Sequence, residues 1–155
     1  MLETARDQSF PKITQISFFL PNRVGSLQRV VYVLDQAHIK ILGLSILDAH
    51  DHAVVRIVVD KPGKAIEEMG NGGRLVCSTR LLGVVLPSDE AHGVSQLLSA
   101  MVRAELNVYY IYTMLLRRQD RPVLAVHVDN IDAAADIIRR AGFDLVDQKD
   151  IEAEG

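Results

Sequence analysis

The sequence predicts an α+β protein built from antiparallel sheets that each carry helices on one face. Three observations lead there. The chain has 155 residues, 48% hydrophobic and 24% charged, the balance of a folded globular protein. One order of apolar segments is written twice along it. In both copies the apolar period switches between two and 3.6 at corresponding places.

The repeat shows first in Leu20-Pro21, which returns as Leu86-Pro87, 66 residues later. In the first copy, Ile13 to Leu20 alternates Ile16, Phe18 and Leu20 against Gln15, Ser17 and Phe19, a strand that ends at proline. After a loop closing on Gly25, residues Leu27, Val30, Val31 and Leu34 form the one-sided stripe of an amphipathic helix. Ile39 to Leu47 and Ala53 to Val59 then read as a hairpin around Ala49-His50-Asp51. Asp60 is a helix-start signal, Pro62 to Met69 a short helix, Gly70 its stop, and Arg74 to Thr79 the last strand.

The second copy follows the same order. Leu81 to Leu86 is its first strand, and Val94, Leu97, Leu98 and Met101 repeat the helical stripe after Gly93. Val108 to Leu116 and Pro122 to Val128 form the hairpin around Arg118-Gln119-Asp120. Asp129 starts a helix over Ile131 to Ala141, Gly142 stops it, and Phe143 to Val146 is the closing strand. The order βαββαβ, twice, is the ferredoxin-like pattern. We place one module at 12–79 and the other at 80–150. Only Ser78-Thr79-Arg80 joins them, with no Gly/Pro linker. The last strand of the first module should therefore run almost straight into the next, with the modules docked rigidly.

Along the third strands, Val55, Ile57, Val59 and Leu124, Val126, Val128 should face the helices. The alternate residues Val54, Arg56, Val58 and Val123, Ala125, His127 are also largely apolar. A wet sheet face would be polar there, so this face is expected to be covered, most simply by the same sheet of a second chain in a two-fold dimer.

Composition excludes several classes. Seventeen Lys and Arg against 20 Asp and Glu leave a net charge of −3, with no basic excess to neutralise a phosphate backbone, so nucleic acid is not an expected partner. No apolar stretch reaches the roughly 20 residues that cross a bilayer, and MLETARDQSF lacks the features of a signal peptide. A cytoplasmic protein with no membrane partner follows. The single cysteine, Cys77, can form neither an internal disulfide nor a CxxC site, and its place in an apolar strand predicts a buried, inert thiol.

The two loops between first strand and first helix, Pro21-Asn22-Arg23-Val24-Gly25-Ser26 and Pro87-Ser88-Asp89-Glu90-Ala91-His92-Gly93, are the candidate sites. Glycine at a helix N-terminus lets the backbone approach a ligand, and the unpaired N–H groups there attract a carboxylate or phosphate. An adjacent Asn or Asp can hold an ammonium group, so the combination suits a zwitterion such as a free amino acid. The same residue types also serve simply as helix caps and turns.

The stretch from Ile16 to Lys61, through Asn22-Arg23-Val24-Gly25-Ser26-Leu27, Leu34-Asp35-Gln36-Ala37 and His38-Ile39-Lys40-Ile41, resembles an ACT domain, the small-molecule-sensing module of amino-acid metabolism. Leu82 to Val146 resembles it more weakly through Gly93, Leu106-Asn107-Val108 and Val126-His127-Val128-Asp129. The whole is similar to bacterial tandem-ACT proteins that bind amino acids. The resemblance implies a ligand site formed by the first loop of one module and the start of the second strand of its neighbour. Asn22 and Gly25 match the family's polar residue and loop glycine, with Arg23, Val24 and Ser26 beside them, and Val24 stands where the family usually has proline. Asn107, with Val108, matches the polar residue opening the second strand. A second, weaker site would combine Asp89, His92 and Gly93 with His38 and Ile39; its loop is two residues longer.

Other groupings carry less. His50-Asp51-His52 offers two imidazoles and a carboxylate, but a turn with no further ligand is not a metal site. Cys77 would be a nucleophile only beside His127 or His92. Tyr109, Tyr110 and Tyr112 lie on a strand, but PVLAVHV lacks the basic-glycine-aromatic pattern of RNA-binding sheets, so packing is their expected role. No metal, no cofactor and no catalytic set is expected. The leading expectation is a non-catalytic, allosteric regulator that binds a free amino acid and forms a homodimer. The alternatives are a regulatory subunit docked on a biosynthetic enzyme, as in the small acetolactate synthase subunits, and an acylphosphatase-like hydrolase using Arg23.

Overall fold

The computed structural model describes residues 10–87 and 90–154. Their elements are β1 (Ile13–Pro21), α1 (Ser26–Gln36), β2 (Ile41–Ala49), β3 (His52–Val59), α2 (Pro62–Asn71), β4 (Val76–Val85), α3 (Glu90–Arg103), β5 (Val108–Arg118), β6 (Arg121–Val128), α4 (Ile131–Arg140), β7 (Asp144–Val146) and α5 (Gln148–Glu154). This is an α+β chain of antiparallel strands. It divides into two compact units, residues 14–79 with 149–154 and residues 80–148 with 10–13. No helix among the described residues is long and apolar enough to cross a membrane.

In the first unit β3 lies between β1 and β2 and is antiparallel to both. The alternation read from the sequence sets the core: Ile16, Phe18 and Leu20 from β1 and Val55, Ile57 and Val59 from β3 meet Val30 and Leu34 of α1 and Ala65 and Met69 of α2. Each fully buried large aliphatic or aromatic side chain there contributes about 1.5–3 kcal/mol. Helix α1 ends without glycine. His38 takes a left-handed φ of 58°, Ile39 N–H returns to Leu34 O at 2.9 Å, and Lys64 and Lys61 donate to the carbonyls of Ala37 and His38 at 2.8 and 2.9 Å. These bonds occupy acceptors that a helix end leaves open.

The second unit has strand order β5-β6-β4-β7, antiparallel throughout. Its core repeats the first almost position by position. Leu82, Val84, Leu86, Leu97, Met101, Leu124, Val126, Val128, Ala134 and Ile138 stand where the first has Ile16, Phe18, Leu20, Val30, Leu34, Val55, Ile57, Val59, Ala65 and Met69. Glu105 repeats the left-handed turn with φ 56°, and Leu106 N–H returns to Met101 O at 3.0 Å. Residues 10–12 belong here: Arg139 lies 5.3 Å over the Phe10 ring, and the buried Lys12 pairs with Asp132 at 3.2 Å.

Several local expectations are corrected. The strands expected at Arg74 to Thr79 and Leu81 to Leu86 do run into each other as anticipated, as one strand, β4, but its bounds are Val76–Val85. Gly93 does not end the loop before α3, because the helix already begins at Glu90. Gly70 lies inside α2, whose stop comes at Gly72 and Gly73, the latter with φ 74°. Asp60 and Asp129 are not helix caps. The cap positions fall one residue later, at Lys61 and at Asn130, whose side chain accepts from Ala133 N–H at 3.1 Å. Cys77 is exposed, not buried; it and Ser78 face solvent while Val76 and Thr79 are half-buried.

The apolar face opposite the helices also reads differently. Val58, Val123 and Ala125 are each 0% exposed in the single chain. Burial at these positions therefore needs no second chain, which removes the sequence argument for covering this face with another copy.

Candidate functional site

The loop from Pro21 to Ser26 is held from two directions. Its backbone is wound tightly: Arg23 N–H donates to Pro21 O at 2.8 Å and Ser26 N–H to Arg23 O at 3.2 Å. Gly25 sits at φ 84°, ψ −4° as the first cap of α1, and no side chain caps that helix. A left-handed residue here is cheap only for glycine. From the other side, Asn22 N–H donates to Asp51 O at 2.9 Å, and the Asn22 side-chain amide donates to Asp48 Oδ1 at 3.2 Å and His50 O at 3.0 Å. Asp48 Oδ1 also receives His50 N–H at 3.1 Å. The loop is thus tied to the β2–β3 turn, where His50 has φ 66°.

Both amide hydrogens of Asn22 are committed to that turn, so its Oδ1 is the atom left for a donor. Arg23 and Gly25 open onto a groove of about 620 Å³ that continues along α1 over Leu27, Gln28, Val31, Tyr32 and Asp35. Asn22, Val24 and Ser26 are not in its wall, and Val24 is 99% exposed. A groove of about 310 Å³ shares Val31 and Asp35 and is otherwise walled by Ile39, Lys40, Ile41 and Leu42. Arg23 supplies positive charge at one end of this surface and Asp35 negative charge further along. The sequence reading of the site stopped at Ser26 and missed Gln28, Tyr32 and Asp35, and it put Val31 in the core stripe, whereas Val31 is half-buried in the groove wall. The signal was present, since all four lie beside Val30 and Leu34 at helical spacing.

The remaining predicted residues fall elsewhere. Ile39 is buried in the first core, and the exposed His38 turns the chain after α1. Asn107 and Val108 belong to the second unit. Asn107 is exposed, its N–H donating to Asp129 Oδ1 at 3.2 Å, and Val108 packs against the second core. Lys40 is its counterpart in the first unit, with N–H donating to the buried Asp60 at 2.8 Å. Asp89 lies outside the described residues. His92 is exposed on α3. Gly93 is buried, and a Cβ there would stand 2.8 Å from Pro87 Cδ. The glycine is required by that close approach, which is a packing reason and not a ligand reason.

His50 and His52 are exposed turn and strand residues, and among the described residues no three His, Cys, Asp or Glu side chains gather as a metal site. Tyr109 and Tyr110 pack their rings 5.1 and 4.8 Å from that of His127, and Tyr110 stacks on Tyr112 at 6.3 Å.

A family model described as an ACT domain pair matches residues 11–154. No curated protein sequence matches the chain. Among solved structures, protein BT0572 from Bacteroides thetaiotaomicron superposes with a TM-score of 0.83 at 22% identity, covering 92% of this chain and 97% of that one. The ligand-free regulatory subunit of aspartate kinase from Thermus thermophilus gives 0.62 at 14% identity, covering 86% and 94%. The corresponding subunit from Thermus flavus gives 0.58 at 13% identity, again covering 86% and 94%. At these identities the likeness is one of fold.

Proposed function

The chain belongs to the ACT domain pair family, and from that premise we propose that it is a cytoplasmic, non-catalytic regulatory protein that binds a free amino acid at the Asn22 to Ser26 loop. The reading takes each half as one ferredoxin-like module, supported by the order β4-β6-β5 in the second unit, which repeats β1-β3-β2 in the first. The observation that carries the ligand reading is the clamped loop itself. Gly25 gives α1 no side-chain cap, and with Ser26 N–H bonded to Arg23 O and Arg29 N–H to Gly25 O, the N–H groups of Leu27 and Gln28, together with Arg23, offer positive charge to a carboxylate. Asn22 Oδ1, fixed by the bonds to Asp48 and His50, accepts from an ammonium group. Opposite partners on neighbouring residues are what a zwitterion needs. Asn107 and Val108 remain the proposed strand contribution, and a second copy of the chain is the proposed macromolecular partner.

Thermal unfolding against a panel of free amino acids tests this. Ligand at about 100 times its dissociation constant adds about 2.7 kcal/mol, which for a chain of this size raises Tm by several degrees. A selective rise that Asn22→Ala abolishes and Asn107→Ala weakens is the expected result. A flat panel at millimolar concentration overturns the reading.

A second reading is a subunit that docks on a catalytic chain. It is suggested by the Thermus thermophilus neighbour, a regulatory subunit of aspartate kinase. Co-purification of a biosynthetic enzyme from the native source would favour it.

A further inference from the structure

Of the four asparagines in the chain, three precede a bulky residue, in Asn22-Arg23, Asn107-Val108 and Asn130-Ile131, and one precedes glycine, in Asn71-Gly72. Side-chain bonds separate them further. Asn22 commits its amide to Asp48 and His50, and Asn130 Oδ1 holds Ala133 N–H. Asn71 is the last residue of α2, within Gly70-Asn71-Gly72-Gly73, and all four of these residues are exposed. That end of the helix is loosely made. Glycine has more backbone freedom to lose in a helix than any other residue. Gly72 N–H reaches back only three residues, to Met69 O, at 3.3 Å, a long bond of its kind, and Gly73 then turns away at φ 74°. The corresponding helix of the second unit, α4, stops at Ala141-Gly142 and has no asparagine there.

We propose that Asn71 is a site of spontaneous deamidation, with the backbone nitrogen of Gly72 as the nucleophile. When the last turn of α2 opens, that nitrogen is free to approach the Asn71 side chain, and glycine puts no side chain in the way. The Gly72 nitrogen attacks Asn71 Cγ and forms a C–N bond, the bond from Cγ to the side-chain nitrogen breaks, and that nitrogen leaves as ammonia with the proton that Gly72 gave up. Water then opens the five-membered succinimide at either carbonyl, its hydroxyl going to carbon and its proton to nitrogen. The products are aspartate and isoaspartate, with no oxidant or reductant needed. Either one sets a carboxylate at the C-terminal end of α2, whose last turn has no basic residue and whose dipole disfavours an anion there. Isoaspartate also inserts one more carbon into the main chain, two residues after Met69 of the first core. Modification therefore loosens the end of α2, independently of any amino-acid ligand or second copy.

The full chain held in warm, mildly alkaline buffer and sampled over time by peptide mass mapping tests this. Residue 71 should convert to aspartate and isoaspartate while Asn22, Asn107 and Asn130 stay intact, and the converted protein should unfold at a lower Tm. Gly72→Ala is structurally mild, since Gly72 has φ −78° and a Cβ there would stand 3.4 Å from Met69 O at its closest. It should slow conversion to near the rate of the other three asparagines. Gly70→Ala, which stiffens the helix without touching the reacting atoms, should slow it in part. Conversion of Asn71 no faster than that of Asn107, or a rate that Gly72→Ala leaves unchanged, overturns the site. A wild-type rate in Gly70→Ala overturns the opening of the helix end as the controlling step, and an unchanged Tm of the converted protein overturns the loosening of α2.

Discussion

The side-chain amide of Asn22 donates to Asp48 Oδ1 across 3.2 Å, although the two residues are 26 positions apart and lie on different segments. That bond makes the candidate loop part of a hairpin. Asp48→Ala should therefore reduce the ligand-induced rise in Tm without touching the ligand, because Asn22 loses the bond that orients it. The cost to the unliganded protein should be about 1–3 kcal/mol, since two exposed hydrogen bonds to Asp48 Oδ1, from the Asn22 amide and His50 N–H, are lost. Asn22→Ala should abolish the ligand response outright. Comparing Tm shifts of the two variants with the amino acid selected from the panel checks the order of effects, and an undiminished response in Asp48→Ala would contradict it.

Gly25 is held at φ 84°, a conformation that costs an L-residue roughly 1–2 kcal/mol. Its Cβ would meet only the end of the Arg29 guanidinium, at 3.9 Å, so crowding adds nothing and the whole effect of Gly25→Ala is backbone strain. At about 2–4 °C per kcal/mol for a chain of this size, Tm should fall by roughly 2–8 °C. Gly25→Asn, which tolerates the left-handed region better, should recover part of that loss.

Gly93 and Gly70 look alike in the sequence, each a glycine beside a helix, and the structure gives their alanine variants opposite signs. A Cβ on Gly93 stands 2.8 Å from Pro87 Cδ and 3.1 Å from Cγ, and the proline ring cannot swing away as a long side chain would. Gly93→Ala should destabilise by about 1–3 kcal/mol, the usual cost of overpacking. Gly70 lies within α2 with nothing within 4 Å of its would-be Cβ. Gly70→Ala should stabilise by about 0.4–1 kcal/mol by reducing the freedom of the unfolded chain and favouring the helix. Chemical denaturation of both variants decides this, the midpoints moving in opposite directions at unchanged slope.

The legible part of the fold was the part written in apolar spacing. Ile16, Phe18, Leu20 and Val55, Ile57, Val59 could be assigned to a core because strand alternation leaves a period-two record, and the repeat allowed Leu82 to Val128 to be read by analogy. The points that escaped are set by single backbone conformations or by tertiary approach. The end of α1 near Ala37 was legible, but the left-handed turns that follow α1 and α3, at His38 and Glu105, are made without glycine, so no punctuating residue marked them. Cys77 sits on an apolar strand, but its exposure depends on what covers that stretch of β4. At the candidate site, Gly25 was legible from its place before an amphipathic stripe. Asp48 and His50 were not, because their contact with Asn22 depends on the hairpin folding back to the loop.

Asp60 and Asp129 make the same pair of bonds in the two units. Asp60 Oδ1 accepts from Lys40 N–H at 2.8 Å while its own N–H donates to Lys40 O at 3.2 Å. Asp129 does the same with Asn107, at 3.2 and 3.1 Å. Each aspartate fixes where the second strand of its unit begins, and in the second unit that beginning is the proposed strand contribution to the ligand. Burial separates them, since Asp60 is 2% exposed and Asp129 is open to solvent. Asp60→Ala leaves the Lys40 N–H without its acceptor and should cost about 1–3 kcal/mol, whereas at Asp129 water replaces the lost acceptor and the cost should stay below about 1 kcal/mol. Asp60→Asn keeps an acceptor in place and should recover most of the loss, which a purely electrostatic role for the carboxylate would not allow. Asp129→Ala should nevertheless lower the ligand response, because it frees the Asn107 backbone. A full ligand response in Asp129→Ala would show that the start of β5 has no part in binding.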